Sequence, residues 1–231
     1  MTEIAVLAVT RLSSGVCVAG IAENGEWVRP TRPSQSGWRQ LDYSDCRDSN
    51  GNWVVQKGCV VKMDLREAIP TGEHSEDWLV GDRKVQLVRE LSEEEYLAFC
   101  QNHQESSLDP LMGIKANGSL ILICPEKFTS FTFQVETSLE GKRNYVPRCG
   151  FVFNGQYYLR KPISDAEWRG YGRRYLQKTD NPKVGDIFAE NQTKNCWLTI
   201  GRNIVNSNIY LIVVGIHLFP VRRFKMDFKR V

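Results

Sequence analysis

The chain has 231 residues, 42% of them hydrophobic and 25% charged, with a formal net charge of +3. A chain of this size and composition buries a core as one large domain or two small ones, which excludes wholesale disorder. Its longest apolar stretch, Ile209 to Leu218, is interrupted by His217 and too short to span a bilayer, and its first residues lack a secretion signal, so a cytoplasmic protein with no membrane role is expected.

The small net charge conceals an asymmetry. Residues 1–125 carry 12 Lys and Arg against 18 Asp and Glu, whereas residues 126–231 carry 18 against 9. The second half also holds nine of the ten Phe and six of the eight Tyr. Cations interleaved with flat rings suit a single-stranded nucleic acid, because cations neutralise phosphates and rings stack on bases. The same residues also suit a β-rich core inside a solvated basic face. The seven cysteines are odd in number and form no C-x-x-C pair, which favours free thiols in a reducing compartment over disulfides or structural zinc. Cys17, Cys59, Cys124 and Cys196 lie in apolar runs, where a thiol packs as a small hydrophobe.

In chain order, Ile4 to Val9 and Val16 to Ile21 are β-branched runs separated by Arg11 to Gly15, which predicts a hairpin. A turn at Glu23-Asn24-Gly25-Glu26 leads to Trp27-Val28-Arg29, with Pro30 and Pro33 expected to stop pairing. Residues 34–56 are rich in Ser, Asp, Asn and Gly and read as a long loop. Strand character resumes over residues 58–65 and 84–89. Ser92 with Glu95 three residues later makes a capping box, predicting a helix from Ser92 to about His103. A strand from Ser119 to Cys124 is expected to close this half.

The second half opens with strands over 128–135 and 151–159. Ser164-Asp165-Ala166-Glu167 is a second capping box, and Trp168, Tyr171 and Tyr175 form the inward stripe of the helix it starts. Gly170 and Gly172 each weaken that helix by about 1 kcal/mol relative to alanine. Cys196 to Ile200 and Asn208 to Leu218 are the last strands. The order of strands, one capped helix and more strands runs twice. It predicts a mainly β chain with minor α content: two consecutive OB-like β-barrels, each with one short helix, over residues 1–125 (acidic) and 126–231 (basic), with SH3-like barrels or a sandwich as the alternatives that the same strand signals allow.

Leu7-Ala8-Val9-Thr10-Arg11, Gly15-Val16-Cys17-Val18-Ala19-Gly20-Ile21 and Trp27-Val28-Arg29-Pro30 resemble the opening of the prokaryotic dual OB-domain-containing family. The run from Leu159-Arg160-Lys161-Pro162 through Ser164-Asp165-Ala166-Glu167-Trp168-Arg169 is similar to that family's second signature. The resemblance implies nucleic acid recognition in mobile-element or anti-phage settings and carries no catalytic residues; the acidic first unit is expected to contribute Arg11, Arg29 and Arg32 or to dock a co-encoded effector protein.

Candidate contacts follow from charge and exposure. Arg11, Arg29 and Arg32 flank the first hairpin, where guanidinium forks would match phosphate oxygens; the alternative is salt bridging within an acidic half. Trp38 and Arg39 sit in the polar loop, where a ring is free to stack. Arg169, Arg173 and Arg174 share the outward side of the second helix, with Arg160 and Lys161 just before it. The tail from Arg222 to Arg230 reads as a basic arm or a last strand with a basic edge. The histidines His74, His103 and His217 share no metal or triad spacing, and there is no P-loop or nucleophile elbow, so neither catalysis nor a cofactor or metal is expected. The leading expectation is a non-catalytic nucleic-acid-binding protein whose cations gather in a ring-lined channel. Two alternatives stand beside it: a nucleotide sensor using Arg29 and Arg169 between the barrels, and a metal-dependent nuclease using Asp42, Asp45, Asp48 and Asp64.

Overall fold

The computed structural model describes residues 1–11, 15–33, 40–70, 74–113, 118–137, 140–141, 143–179 and 181–228. Strands β1 (Thr2–Arg11), β2 (Val16–Ala22), β3 (Trp27–Thr31), β4 (Cys59–Met63), β5 (Leu65–Ala68), β6 (Asp77–Val80) and β7 (Gln86–Glu90) form one sheet in the order β5-β6-β3-β2-β1-β4-β7. All pairs are antiparallel except β3 with β6. Pro30 does not end β3 as expected: it lies in register with Trp78, and the preceding Arg29 N donates to Glu76 O at 2.7 Å. The chain bends at Asp64, whose carbonyl accepts from Gly81 N at 2.7 Å, so the sheet curls without becoming the closed barrel expected.

Nearly all of β1 is buried because the sheet is covered on both faces. Ile4, Val6 and Val9 enter one core, and Leu7 and Ala8 enter the packing on the other side. A bulge between Val6 and Ala8 shifts the alternation by one residue, which is why an even-numbered pair and then an odd-numbered residue share a face. The segment expected as a loop contributes a 3-10 turn (Tyr43–Cys46) and buries Leu41, Cys46, Val54 and Val55.

Helix α1 (Glu93–His103) starts as predicted: Glu95 N donates to Ser92 Oγ at 3.1 Å, and Ser92 N donates to Glu95 Oε2 at 2.8 Å. A four-residue helix, α2 (Asp109–Met112), follows. Strand β8 (Leu120–Ile123), expected to close the first half, instead pairs with a strand near the C-terminus.

The rest of the chain contains β9 (Lys127–Thr132), β10 (Val135–Thr137), β11 (Arg143–Tyr145), β12 (Arg148–Phe153), β13 (Gln156–Pro162), α3 (Ala166–Tyr175), α4 (Val184–Glu190), β14 (Asn195–Val205) and β15 (Asn208–Phe219). Helices α2 and α4 correct the expectation of one helix per unit. Two three-stranded sheets, β13-β12-β9 and β15-β14-β8, enclose a core of Phe131, Phe133, Phe151, Leu198 and Ile200, with Trp168 and Tyr171 of α3. A parallel bridge between Ile163 and Val213 links the two sheets, and again the barrel stays open. With β8 and β9 taken as one broken first strand, because β8 pairs with β14 and β9 with β12, the order β8/β9, β12, β13, α3, β14, β15 follows that of an OB-fold.

The Phe-rich composition of this half is therefore core: Phe128, Phe131, Phe133, Phe151, Phe153 and Phe219 are all buried. The expected ring-lined channel does not form from them. Cys124 is exposed rather than packed, and all seven thiols are free.

A buried polar network joins the two halves. Lys57 Nζ pairs with Asp165 Oδ2 and donates to Ile216 O at 2.7 Å. The other oxygen of Asp165 accepts from Glu167 N and Trp168 N, at 2.9 and 3.0 Å, so Asp165 and not Ser164 caps α3. Beside it, Thr199 Oγ1 donates to Leu7 O at 3.4 Å and so accepts from His217 Nε2 at 2.8 Å; His217 Nδ1 then accepts from Tyr96 Oη at 2.5 Å. Burial, reinforced by Lys57 and Arg223, holds His217 neutral, well below the usual histidine range.

Candidate nucleic-acid interface

Sheet β13-β12-β9 presents the site. Register pairs Val152 with Lys127 on one side and Tyr157 on the other, so Lys127, Val152 and Tyr157 form one row across the three strands. Strand alternation puts Leu159 on the Tyr157 face, while Tyr158 turns inward and stacks on Phe151 with ring centres 5.2 Å apart. Tyr157 and Leu159 are 63% and 61% exposed, among the most exposed large apolar side chains described. The Lys127 ammonium lies 5.9 Å from the Tyr157 ring centre.

Opposite Cys149 to Phe151, β13 carries one residue too many, and this bulge lies at Leu159 and Arg160. Arg160 takes a left-handed backbone, φ 51°, unusual outside glycine, and its side chain is 66% exposed. Its nearest carboxylate, Glu136, is already held by both arms of Arg148 at 2.8 Å, leaving Arg160 a looser contact at 3.6 Å. That bidentate bond holds the Glu136 carboxyl below its usual range. Lys161 is half-buried and in register with Cys149. The β14–β15 hairpin ends at Asn206 and Ser207, both with positive φ as a type I′ turn needs, and exposes Tyr210 nearby.

The remaining sequence candidates divide sharply. Arg29 is gripped by both oxygens of Asp77 at 2.6 and 2.9 Å, with Asp77 only 1% exposed. Burial opposes its charge, but the Asp77 bond wins and holds the guanidinium protonated above its usual value. Arg32 is gripped in the same way by Asp45, at 2.8 and 2.9 Å, and also donates to Gly81 O. The shallow pocket beside it sets Arg32, Arg83 and Lys84 against Asp45, Asp64 and Asp82, a balance with no bias toward anions. These arginines are staples of the acidic half.

The arginines of α3 do not project into solvent as expected, apart from Arg174. Arg169 is partly buried and donates to Tyr145 O at 2.9 Å. Arg173 pairs with Asp227, and Arg11, at the end of β1, is close enough to Arg169 to weaken its hold on its proton. Thr10, next to Arg11, bridges Asp165 at the start of α3, so the end of β1 brings Arg11 to the junction of the two halves, on the side of Arg169 and Arg173. Trp38 and Arg39 lie outside the described residues.

The loop acids serve as local ties. Asp45 holds Arg32, Asp48 accepts from Asn50 N and Asn52 N, and Asp64 meets Arg66 at 3.0 Å. Among the described residues no cluster of three or more His, Cys, Asp or Glu side chains is arranged for a metal ion. His74, Glu76 and Ser119 do converge, but Ser119 Oγ bonds Glu76 directly and both meet the same nitrogen of His74. A hydrolytic triad needs the base between nucleophile and acid, using two different nitrogens; this trio ties the start of β6 to the start of β8.

Sequence reasoning missed Tyr157, Leu159 and Lys127, whose exposure depends on register and a bulge. No helix among the described residues is long and apolar enough to cross a membrane. No curated protein matches the chain. Residues 2–215 match the model of the dual OB-containing domain. With that match spanning most of its length and two runs of OB-like strands behind it, the chain belongs to the dual OB-containing domain family.

Proposed function

We propose that this protein binds single-stranded or structured nucleic acid, without catalysing a reaction, across the outer face of β9, β12 and β13. The observation that carries this reading is the exposed pair Tyr157 and Leu159, flanked by Lys127 and Arg160; Lys161, opposite the core residue Cys149, lies at the edge of this face. OB-folds engage oligonucleotides over their second and third strands, and with β8 and β9 counted as one broken first strand those are β12 and β13. A stacked ring contributes about 1–3 kcal/mol per base in such binders, and neighbouring cations hold the backbone. The second OB unit of this reading begins ahead of β8, near residue 118, because β8 pairs with β14.

The acidic first unit neutralises Arg29 and Arg32 with its own carboxylates, which suits that part of it to a protein partner such as a co-encoded effector rather than to phosphates. Its outermost strand, β7, offers exposed Leu87 and Val88 for such a contact. Seven free thiols fit a reducing, cytoplasmic setting.

Anisotropy of a labelled single-stranded oligonucleotide, measured against salt, tests the reading. Binding should weaken with a log–log slope of about −0.7 per phosphate neutralised. No binding at low salt, or a salt-independent affinity, would overturn it.

A further inference from the structure

After β15 the chain leaves the sheets and runs from 221 to 228 as a strap without regular structure, beyond the region that matches the family. The strap is built into the fold. Phe224 packs on Tyr171 and Trp168 of α3, with ring centres 4.8 and 6.3 Å away. Asp227 N donates to Ala166 O at 2.8 Å. Phe228 then reaches across to Tyr43 and Trp53 of the first half, with ring centres 5.5 and 5.4 Å away. Gly170 explains how the strap lies so close: a Cβ at that position would overlap the Lys225 carbonyl.

Under the strap three arginines converge. The Tyr145 ring has the Arg169 guanidinium carbon 5.1 Å from its centre and that of Arg173 at 4.3 Å. Arg11 comes from the end of β1, where the adjacent Thr10 bridges Asp165 at the start of α3, and Asp227 pairs with Arg173. Arg169 Nε is buried and has no hydrogen-bond acceptor, although the guanidinium donates elsewhere to Tyr145 O. A buried donor left unmade costs about 1–3 kcal/mol, more when charged, so its persistence calls for an explanation. Burial lowers the Arg169 proton affinity, and Arg173 and Arg11 add to this against Asp227 and Tyr145. The site is under-supplied with negative charge at Arg169.

We propose that Arg11, Arg169 and Arg173 form a seat for a phosphate group at the junction of the two OB units, and that the Asp227 carboxylate is an internal anion competing for that seat. A tetrahedral phosphate offers more acceptor oxygens and more charge than one carboxylate and can reach the idle Nε of Arg169. Binding there lifts the strap, so the C-terminal segment is an autoinhibitory contact. The site is separate from the outer face of β12 and β13 and does not depend on the reading given for that face.

The test is calorimetric titration of inorganic phosphate into the full chain at fixed ionic strength, with chloride as control. Asp227→Asn removes the competitor and should tighten phosphate binding at least tenfold; adding Arg169→Gln should abolish the gain. Gly170→Ala, which pushes the strap off α3 without touching the seat, should also tighten phosphate binding. If Asp227→Asn does not fold, the wild-type protein still decides: phosphate should speed amide exchange at Asp227, whose N–H is bonded to Ala166 O. Equal affinity in wild type and both single variants, or exchange at the strap unmoved by phosphate, overturns the proposal.

Discussion

Two sets of cations in this molecule have opposite fates. Arg29 and Arg32, in the acidic half, each donate two parallel bonds to one carboxylate, and the acid partner of Arg29 is fully buried. Lys127 and Arg160, in the basic half, stand beside exposed Tyr157 and Leu159, and the one carboxylate near Arg160 is committed to Arg148. What separates them is the local supply of acids. A guanidinium already matched by a buried carboxylate has its charge and its donors spent, whereas an exposed cation whose acid is engaged elsewhere keeps them for a phosphate.

The contrast can be broken most forcefully at Arg29. Arg29→Gln removes the guanidinium that neutralises the buried Asp77 carboxylate, so unfolding free energy should fall by about 3–5 kcal/mol, read by chemical denaturation. Affinity of the folded fraction for a single-stranded oligonucleotide should stay at the wild-type value. A specific loss of binding would merge the two regions that the structure separates. At the other pole, Tyr157→Ala should weaken binding by about 1–3 kcal/mol with the denaturation midpoint unchanged.

The junction between the two regions has its own signature. Because burial depresses the His217 pKa, the unfolded chain takes up a proton there before the folded one does. The stability this provides is complete above the unfolded histidine pKa of about 6.5 and is lost as pH falls below it, by about 1.4 kcal/mol per pH unit. His217→Gln should flatten that acid limb; a wild-type limb that survives the substitution would place its origin elsewhere. The smallest effect is expected at Arg160. Arg160→Gln should leave stability within about 0.5 kcal/mol and make the salt slope shallower by about 0.7.

Much of the fold is legible in the sequence because its signals are local. The β1–β2 hairpin follows from two β-branched runs, and α1 from Ser92 and Glu95. Strand β6 is not legible: it is four residues long, starts with an aspartate and pairs in parallel with a distant strand. Lys57 carries no signal at all, since its partners Asp165 and Ile216 lie more than a hundred residues away. The sites divide the same way. Arg160 and Lys161 could be picked out as cations, but the exposure of Tyr157 depends on the hairpin register that sets it opposite Val152. Arg169 reads as solvent-facing from helical spacing alone, because nothing in that spacing discloses the strap that covers it. The glycines of α3 look like pure weakness until Gly170 meets Lys225 and Gly172 meets Phe133.

Photocrosslinking a bromouridine-substituted single strand to the intact protein, with the adducts mapped by mass spectrometry, tests the assignment of the outer face most directly. Adducts should concentrate between residues 156 and 161, led by Tyr157, and disappear in Tyr157→Ala. Adducts confined to the acidic half around Trp27 and Trp53, with β13 untouched, would contradict it.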